Sequence, residues 1–163
     1  MQDNGAQRRR VVLLLIVAAN AIGAGVAIGL MEWLSLWSQF PLWAVPFATS
    51  IVLVLGAPEA MPAQPRALIG GHVLSTLIGP VVLKIAGPGP WAAAAAVALA
   101  VFAMQISGTF HPPAGIDPLL VVANNLPWTF LFLPVLAGAV LLALFAFAWH
   151  NLVRAHPWPT RWL

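Results

Sequence analysis

His111-Pro112-Pro113-Ala114-Gly115-Ile116-Asp117-Pro118 interrupts one of the most apolar parts of this 163-residue chain. Proline lacks the amide hydrogen and restricts the residue before it, so a continuous helix interior cannot pass through this stretch. Apolar runs long enough to cross a bilayer lie on both sides of it, at residues 91–110 and 128–152. The stretch therefore places titratable side chains between two membrane helices, where such groups are functional candidates by default.

The composition indicates a protein that resides in the membrane. Hydrophobic residues make up 61% of the chain and charged residues 7%, far from the fractions typical of soluble domains. Because a segment in lipid must satisfy its own backbone hydrogen bonds, the apolar runs are predicted to be helices. We predict an all-α, polytopic bundle of about five spans. The predicted spans are residues 11–31, 41–56, 67–87, 91–110 and 128–152.

The predicted spans also define the domain organisation. Residues 1–10 form a basic N-terminus, residues 11–153 a single membrane domain, and residues 154–163 a short C-terminal tail. The Arg8-Arg9-Arg10 run is typical of a cytoplasmic flank and not of a nucleic-acid site, so we expect a bacterial inner (plasma) membrane protein with a cytoplasmic N-terminus. Gly25 and Gly29 form a small-residue pair that suits contact between copies in a homo-oligomer.

A second proline-rich stretch, residues 57–66, precedes the third predicted span. We call it the first break, and residues 111–118 the second break. Arg66 ends the first break, and its planar fork of donors matches a small oxyanion. His72 follows about one and a half helical turns later. An alternative for Arg66 taken alone is an arginine that extends to the lipid headgroups.

The second break has features of an anion site. A helix that starts there, predicted over residues 113–123 and closed by Asn124 and Asn125, would offer the amides of Ala114, Gly115 and Ile116 to a ligand. His111 could donate to the same anion. In the alternative reading, the prolines only start a helix and His111 satisfies a carbonyl group.

Two carboxylates accompany these cationic groups. Asp117 would compete with an anion for the positive helix end unless it is protonated or paired with Arg66. Asp117 is therefore a candidate proton-coupling group, and Glu59 in the first break is a further candidate for coupling or gating.

Small polar residues lie next to the candidate site. His72, Ser75, Thr76 and Gly79 share one helical face, and Gln105 and Thr109 are expected to form a similar face on the fourth span. For the residues other than His72, the alternative is simple helix packing through small residues and hydroxyls.

The motifs resemble the HPP family of integral membrane proteins. The resemblance rests on Gly56-Ala57-Pro58, Ala63-Gln64-Pro65-Arg66, Ile69-Gly70-Gly71-His72 and His111-Pro112-Pro113-Ala114-Gly115, within residues 41–150. It implies a unit of four membrane helices, and plant members of the family are implicated in moving nitrite into chloroplasts. It also implies functional roles for Gln64, Arg66, His72 and His111, with Gly115 as a residue of close approach. The chain departs from the family pattern at Ala60-Met61-Pro62, at Ala67 and at Ile116-Asp117-Pro118.

We therefore predict a transporter or channel for a small inorganic anion, with nitrite or nitrate as leading candidates and no cofactor. A metal-dependent membrane enzyme is one rival, because His72, His111, Glu59 and Asp117 are metal-ligand types, although they lack a compact ligand spacing. The other rival is a membrane subunit or scaffold without transport of its own.

Overall fold

The computed structural model describes residues 3–38 and 45–162 of the chain. Within those residues all regular elements are helical, which confirms the predicted all-α bundle. The helices are α1 (Asp3–Ser38), α2 (Ala48–Gly56), α3 (Pro65–Ala86), α4 (Pro90–Ile106), α5 (Ile116–Asn124) and α6 (Ala137–Ala148). Short 3-10 turns, Met61–Ala63 and Pro112–Gly115, precede α3 and α5, and π-helical turns, Leu131–Leu136 and Trp149–Val153, extend α6 at both ends.

Three helices of the described chain are long and apolar enough to cross a membrane. They are Gly5–Ser38, Pro65–Ala86 and Leu131–Val153. Helix α4 is apolar but shorter, because it ends at Ile106 and not at residue 110. Helix α2 has 9 residues, or about 14 Å of helix, and begins at Ala48. Residues 41–44 of the predicted second span lie outside the described residues. The number of spans stays a prediction.

The prolines of both breaks determine where the helices begin. Gln64 is extended, with ψ of 155°, and α3 starts at Pro65, where the missing amide hydrogen costs no helical bond. His111 is also extended, and the 3-10 turn begins at Pro112. The half-helix expected after the second break is present as α5, and it ends at the left-handed residue Asn125, with φ of 51°.

The apolar core of the described residues has three clusters, and two of them include buried residues of α3. The first lies among α1, α2 and α6, and its buried side chains include Phe47, Ile51 and Leu142. The second lies among α3, α4 and α5, where Val82 packs near Ala96 and Val122. Helix α3 therefore contacts α4, α5 and α6, and residues on its successive faces meet all three neighbours.

The C-terminal tail is packed onto this bundle. Trp158 is 2% exposed and belongs to the first core, and the side-chain amide of Asn151 donates to its carbonyl. Arg154 donates to Asn20 of α1, and Trp149 packs against Gly23 of α1. These contacts tie the tail and the C-terminal end of α6 to the rest of the fold.

Candidate functional site

A chain of four buried polar side chains crosses the centre of the bundle. Ser50 of α2 lies between two histidines, with its Oγ 2.9 Å from Nε2 of His72 and 2.9 Å from Nε2 of His111. All three side chains are fully buried. The fourth member is Asp117, whose Oδ2 lies 2.8 Å from Nδ1 of His72. We call Asp117, His72, Ser50 and His111 the polar chain.

The hydrogen-bond partners at the two ends of the polar chain differ in kind. At one end, Thr76 donates to Oδ2 of Asp117 at 3.1 Å. At the other end, Nδ1 of His111 lies 2.6 Å from the Pro62 carbonyl oxygen, which can only accept. His111 therefore carries a proton on Nδ1, because an unprotonated nitrogen facing a carbonyl would make no bond.

Close backbone approach makes this arrangement possible. A Cβ atom added to Gly71 would lie 2.6 Å from Cβ of His111 and 2.8 Å from the Thr109 carbonyl oxygen. A Cβ atom on Gly79 would lie 2.8 Å from Cβ of Val121 in α5. Glycines at these two positions let α3 approach the second break and α5 closely enough for His72 to reach Asp117.

The surroundings of the polar chain exclude water. The Phe47 ring, 0% exposed, lies with its centroid 4.7 Å from that of His72, and the two imidazole centroids are 5.0 Å apart. Ser75 donates to the Ala114 carbonyl at 2.6 Å and holds the second break against α3. In such an apolar setting an unpaired polar group is costly, so the bonds of the polar chain strongly define its geometry.

Two arginines line a separate pocket beside the first break. Arg66 and Arg161 share this pocket, of about 20 Å³, with Gln64, Gly108 and Trp162, among others. Both guanidinium groups are exposed. Nη2 of Arg66 donates to the Ser107 carbonyl at 2.9 Å, and Nη1 of Arg161 contacts the sulfur of Met61 at 3.3 Å. Among residues 3–38 and 45–162, neither arginine pairs with a carboxylate. We call this the arginine pocket.

Gln64 lines the arginine pocket, but its amide is already occupied. Its nitrogen donates to the carbonyl groups of Pro58 and Ala60, at 2.7 and 3.2 Å. Its oxygen accepts from the backbone amides of Thr160 and Arg161, at 3.0 and 3.2 Å. Both donors and both acceptor positions are used, so Gln64 joins the first break to the C-terminal tail.

Comparison with known proteins identifies the family. Residues 9–159 match the family described as "HPP, transmembrane region". The chain belongs to the HPP family. Two transmembrane proteins of Dictyostelium discoideum are 36% and 34% identical to it over 125 residues, or 71% of this chain. The chain covers 44% and 40% of their lengths, so it spans less than half of these relatives. No solved structure matches significantly.

The structure of this HPP protein divides the predicted anion site into two. His72 and His111 belong to the polar chain, whereas the guanidinium of Arg66 lies in the arginine pocket with Gln64. The expected pairing of Asp117 with Arg66 does not occur, since Asp117 bonds to His72 and Thr76. Arg66 and His111 belong to the two breaks and His72 to α3, but the guanidinium group and the imidazole rings have separate partners.

The expectation of free amides in the second break is wrong for two of its residues. The Ala114 amide donates to the His111 carbonyl at 3.0 Å, and the Ile116 amide donates to Pro113. The 3-10 turn produces these bonds, because its tighter winding satisfies amides that an α-helix would leave free. A Cβ atom on Gly115 would meet no protein atom within 4 Å, so no other segment of the described chain packs closely there, and its role as a residue of close approach to an anion stays a prediction.

The remaining predicted side chains have peripheral or packing contacts. Glu59 is exposed and lies 3.5 Å from Nε2 of His156 at the surface, away from Asp117. Gln105 is exposed, and the Thr109 hydroxyl lies 2.7 Å from that of Ser107. The two do not share a helical face, because α4 ends at Ile106 before Thr109.

Two residues of the site were absent from the sequence prediction. Thr49 and Ser50 are the only polar residues of the apolar helix α2. A hydroxyl in such a helix indicates a buried hydrogen bond and is the signal that could have identified Ser50. Arg161 lies 95 residues after Arg66 in the tail, and no local pattern connects the two arginines.

Proposed function

We propose that this HPP protein is a membrane transporter or channel for a small inorganic anion, with nitrite or nitrate as the leading candidates. One observation carries the proposal: Arg66 and Arg161 line one pocket, and neither is neutralised by a carboxylate of the described chain. Guanidinium forks bind planar oxyanions through paired hydrogen bonds, and both nitrite and nitrate are planar oxyanions. The role suggested by the plant members of the family supports the same substrates.

The location of the arginine pocket favours a role as the entry site for the anion. It accounts for only part of a permeation path. Arg66 is in the first turn of α3, and His72 follows six residues later, or about 9 Å along the helix. Gly70 and Gly71 lie between them in close contact with Thr109 and His111, so the wall of the pocket is continuous with the polar chain. An anion that leaves the pocket inward would therefore require α3 to separate from the residues that lead into the second break.

Anion uptake by proteoliposomes tests the proposal. Purified protein is reconstituted, and uptake of nitrite, nitrate, chloride, formate and bicarbonate is measured below saturation. Loss of a charge-assisted hydrogen bond is worth about 1.5–3 kcal/mol, so Arg66→Ala and Arg161→Ala should each reduce nitrite uptake roughly 10- to 100-fold. Arg66→Lys should recover only part of the loss, because lysine lacks the fork.

Lys84→Ala is the matched control for these variants. Lys84 is an exposed cation in the last turn of α3, at the end opposite to Arg66. Its removal changes the net charge by the same amount and should leave uptake unchanged. If wild-type protein in a verified orientation moves none of the five anions, the proposal is wrong.

We also propose a homo-oligomer embedded in lipid, in the bacterial inner membrane with a cytoplasmic N-terminus. A Cβ atom on Gly25 or Gly29 would meet nothing within 4 Å, so both glycines of α1 face away from the bundle. Small residues on an outward face permit close contact with a second helix. The basic run at Arg8–Arg10 supports the orientation. Crosslinking at Ile22 and Val26, with cysteines introduced into this cysteine-free chain, would test the contact.

The rival functions make different predictions for the same purified protein. Within residues 3–38 and 45–162, no group of three or more histidine, aspartate and glutamate side chains could hold a metal ion. A metal-dependent enzyme would nevertheless copurify with stoichiometric metal, which elemental analysis would detect. A non-transporting subunit would copurify with another membrane protein and show no flux after reconstitution.

A further inference from the structure

We infer that the polar chain is a proton relay that couples one proton to each anion moved. This inference rests on the proposed function, which supplies the transported anion. What it adds is that the coupling ion is a proton. The observation behind it is the unbroken series of hydrogen-bonding distances from Asp117 through His72 and Ser50 to His111, with no gap longer than 2.9 Å.

Counting protons shows what the polar chain must contain. Four contacts need a hydrogen atom: Asp117 to His72, His72 to Ser50, Ser50 to His111, and His111 to the Pro62 carbonyl. Two neutral imidazoles and one hydroxyl supply three hydrogens, so an ionised Asp117 would leave one contact unmade. A fourth proton completes all four contacts and makes the chain electrically neutral, which the buried setting favours. The 3.5 Å contact from Ser50 to the Pro46 carbonyl is too long to compete for its hydrogen.

The fourth proton can occupy three places without breaking any contact. It can lie on Asp117, on His72 as an imidazolium, or on His111 as an imidazolium. To move from one end to the other, Asp117 gives its proton to Nδ1 of His72, Nε2 of His72 gives its proton to Ser50, and Ser50 gives its own to Nε2 of His111. One bond to hydrogen breaks and one forms at each step, so the net result is a single proton transferred from Asp117 to His111.

Asp117 has a second oxygen that supports a protonated acid. Its Oδ1 is buried and has no hydrogen-bond partner among the described residues. A carboxylate would leave a charged oxygen unsatisfied there, whereas the acid carries no net charge. The titratable groups of the relay are its own members, from α3, α5 and the second break. Helices α2, α4 and α6 contribute no titratable residue. The buried His150, in the π-helical turn after α6, has its Nε2 3.0 Å from the Val54 carbonyl of α2 and makes no hydrogen bond to the relay in the described part of the chain. Glu59 pairs with His156 at the surface, and Arg66 bonds to Ser107.

The loop before the second break connects the relay to the arginine pocket. Ser107, which accepts from Arg66, is four residues before His111. An anion bound by Arg66 competes for the donor that holds Ser107, and a shift of this loop would change the contact of His111 with Pro62. An anion and a proton that move in the same direction carry no net charge across the membrane. The coupling is therefore symport.

Anion accumulation driven by a pH gradient tests the relay. Proteoliposomes with the membrane potential clamped at zero are given an acidic exterior, and nitrate uptake is compared with that at equal pH, using protein-free vesicles as background. Wild-type protein should accumulate nitrate above its external concentration, about tenfold for one pH unit at one proton per anion. Ser50→Ala should retain downhill uptake and lose the accumulation.

Thr49→Ala is the matched control, because Thr49 is the hydroxyl residue next to Ser50 on α2 but is exposed and lies outside the relay. Asp117→Asn is the second variant, since it keeps the shape and hydrogen bonds of the aspartate and removes its titration, and it should also uncouple. Circular dichroism and size-exclusion profiles establish that each variant is folded.

The outcomes separate the two proposals. If wild-type protein transports none of the anions, the proposed function fails and the coupling fails with it. If it transports nitrate without response to the pH gradient, or if folded Ser50→Ala and Asp117→Asn accumulate nitrate as wild type does, the relay is wrong and the transport function stands.

Discussion

His72 and Asp117 form a buried pair that joins α3 to α5. Nδ1 of the imidazole lies 2.8 Å from Oδ2 of the carboxyl group, both side chains are 0% exposed, and the two residues are 45 positions apart in the chain. Because Thr76 also donates to the same oxygen, removal of Asp117 leaves two buried groups on α3 without a partner. The pair is therefore a structural requirement as well as a component of the polar chain.

Asp117→Ala should strongly destabilise the protein. Each buried polar group left unsatisfied costs about 1–3 kcal/mol, so the loss from His72 and Thr76 together should be about 2–6 kcal/mol. Asp117→Asn, which retains an acceptor of the same shape, should cost much less. Thermal unfolding in detergent, followed by tryptophan fluorescence, compares the two. Equal losses for both variants would contradict a role for hydrogen bonding at this position.

Gly71→Ala should disrupt the contact between α3 and the second break. The added methyl group would lie 2.6 Å from Cβ of His111 and 2.8 Å from the Thr109 carbonyl, and neither atom is the end of a flexible side chain. Overpacking of this kind costs about 1–3 kcal/mol, and it should reduce transport by displacing His111. Gly115→Ala is the control, because the space around Gly115 is open. A stable, fully active Gly71→Ala would show that the two segments are not in close contact.

Gln64→Ala should release the C-terminal tail. The amide of Gln64 makes four hydrogen bonds, two of them to the backbone of Thr160 and Arg161. Without them, trypsin should cleave after Arg154 and Arg161 faster, by several-fold or more, because proteolysis follows local opening. Gln105→Ala removes an exposed glutamine elsewhere and should leave the cleavage rate unchanged. The sizes of the fragments, measured by mass spectrometry, report the site.

Nitrite should stabilise the folded protein through the arginine pocket. A ligand that binds only the native state, at a concentration of 100 times its Kd, adds about 2.7 kcal/mol to the free energy of unfolding. This raises the midpoint of thermal unfolding. The shift should be absent in Arg66→Ala and in Arg161→Ala, and present in Lys84→Ala. Sodium chloride at equal ionic strength corrects for general screening of charge. A nitrite shift that persists in both arginine variants would place the anion elsewhere.

The helical bundle and its breaks could be predicted because their causes are local. The apolar content of residues 67–87 and 128–152 requires helices in lipid, and the observed helices occur in both regions. Pro65 and Pro112 each start a helical turn, because the ring fixes φ and the first turn needs no amide hydrogen at that position. The short side-chain amides of Asn124 and Asn125 suit a helix end, and α5 ends there, at Asn124, with Asn125 as its left-handed cap.

The partners of the polar groups could not be predicted in this way. His72 and His111 were expected to face Arg66, but they meet at Ser50, which is 22 and 61 residues from them. The rotation of α3 about its axis decides which side chains face α2 and α5, and this rotation is set by many weak contacts such as those of Gly71 and Gly79. No single residue encodes it.

The sequence by itself determined a helical membrane protein of the HPP family, with two proline breaks that carry its unusual polar residues. Only the tertiary structure decided that those residues form two sites, a buried polar chain and an exposed arginine pocket. The physical reason is the sequence distance over which each effect acts. Hydrophobicity and proline geometry act within a few residues. The hydrogen bond between Asp117 and His72, and the pocket shared by Arg66 and Arg161, require distant segments to pack together.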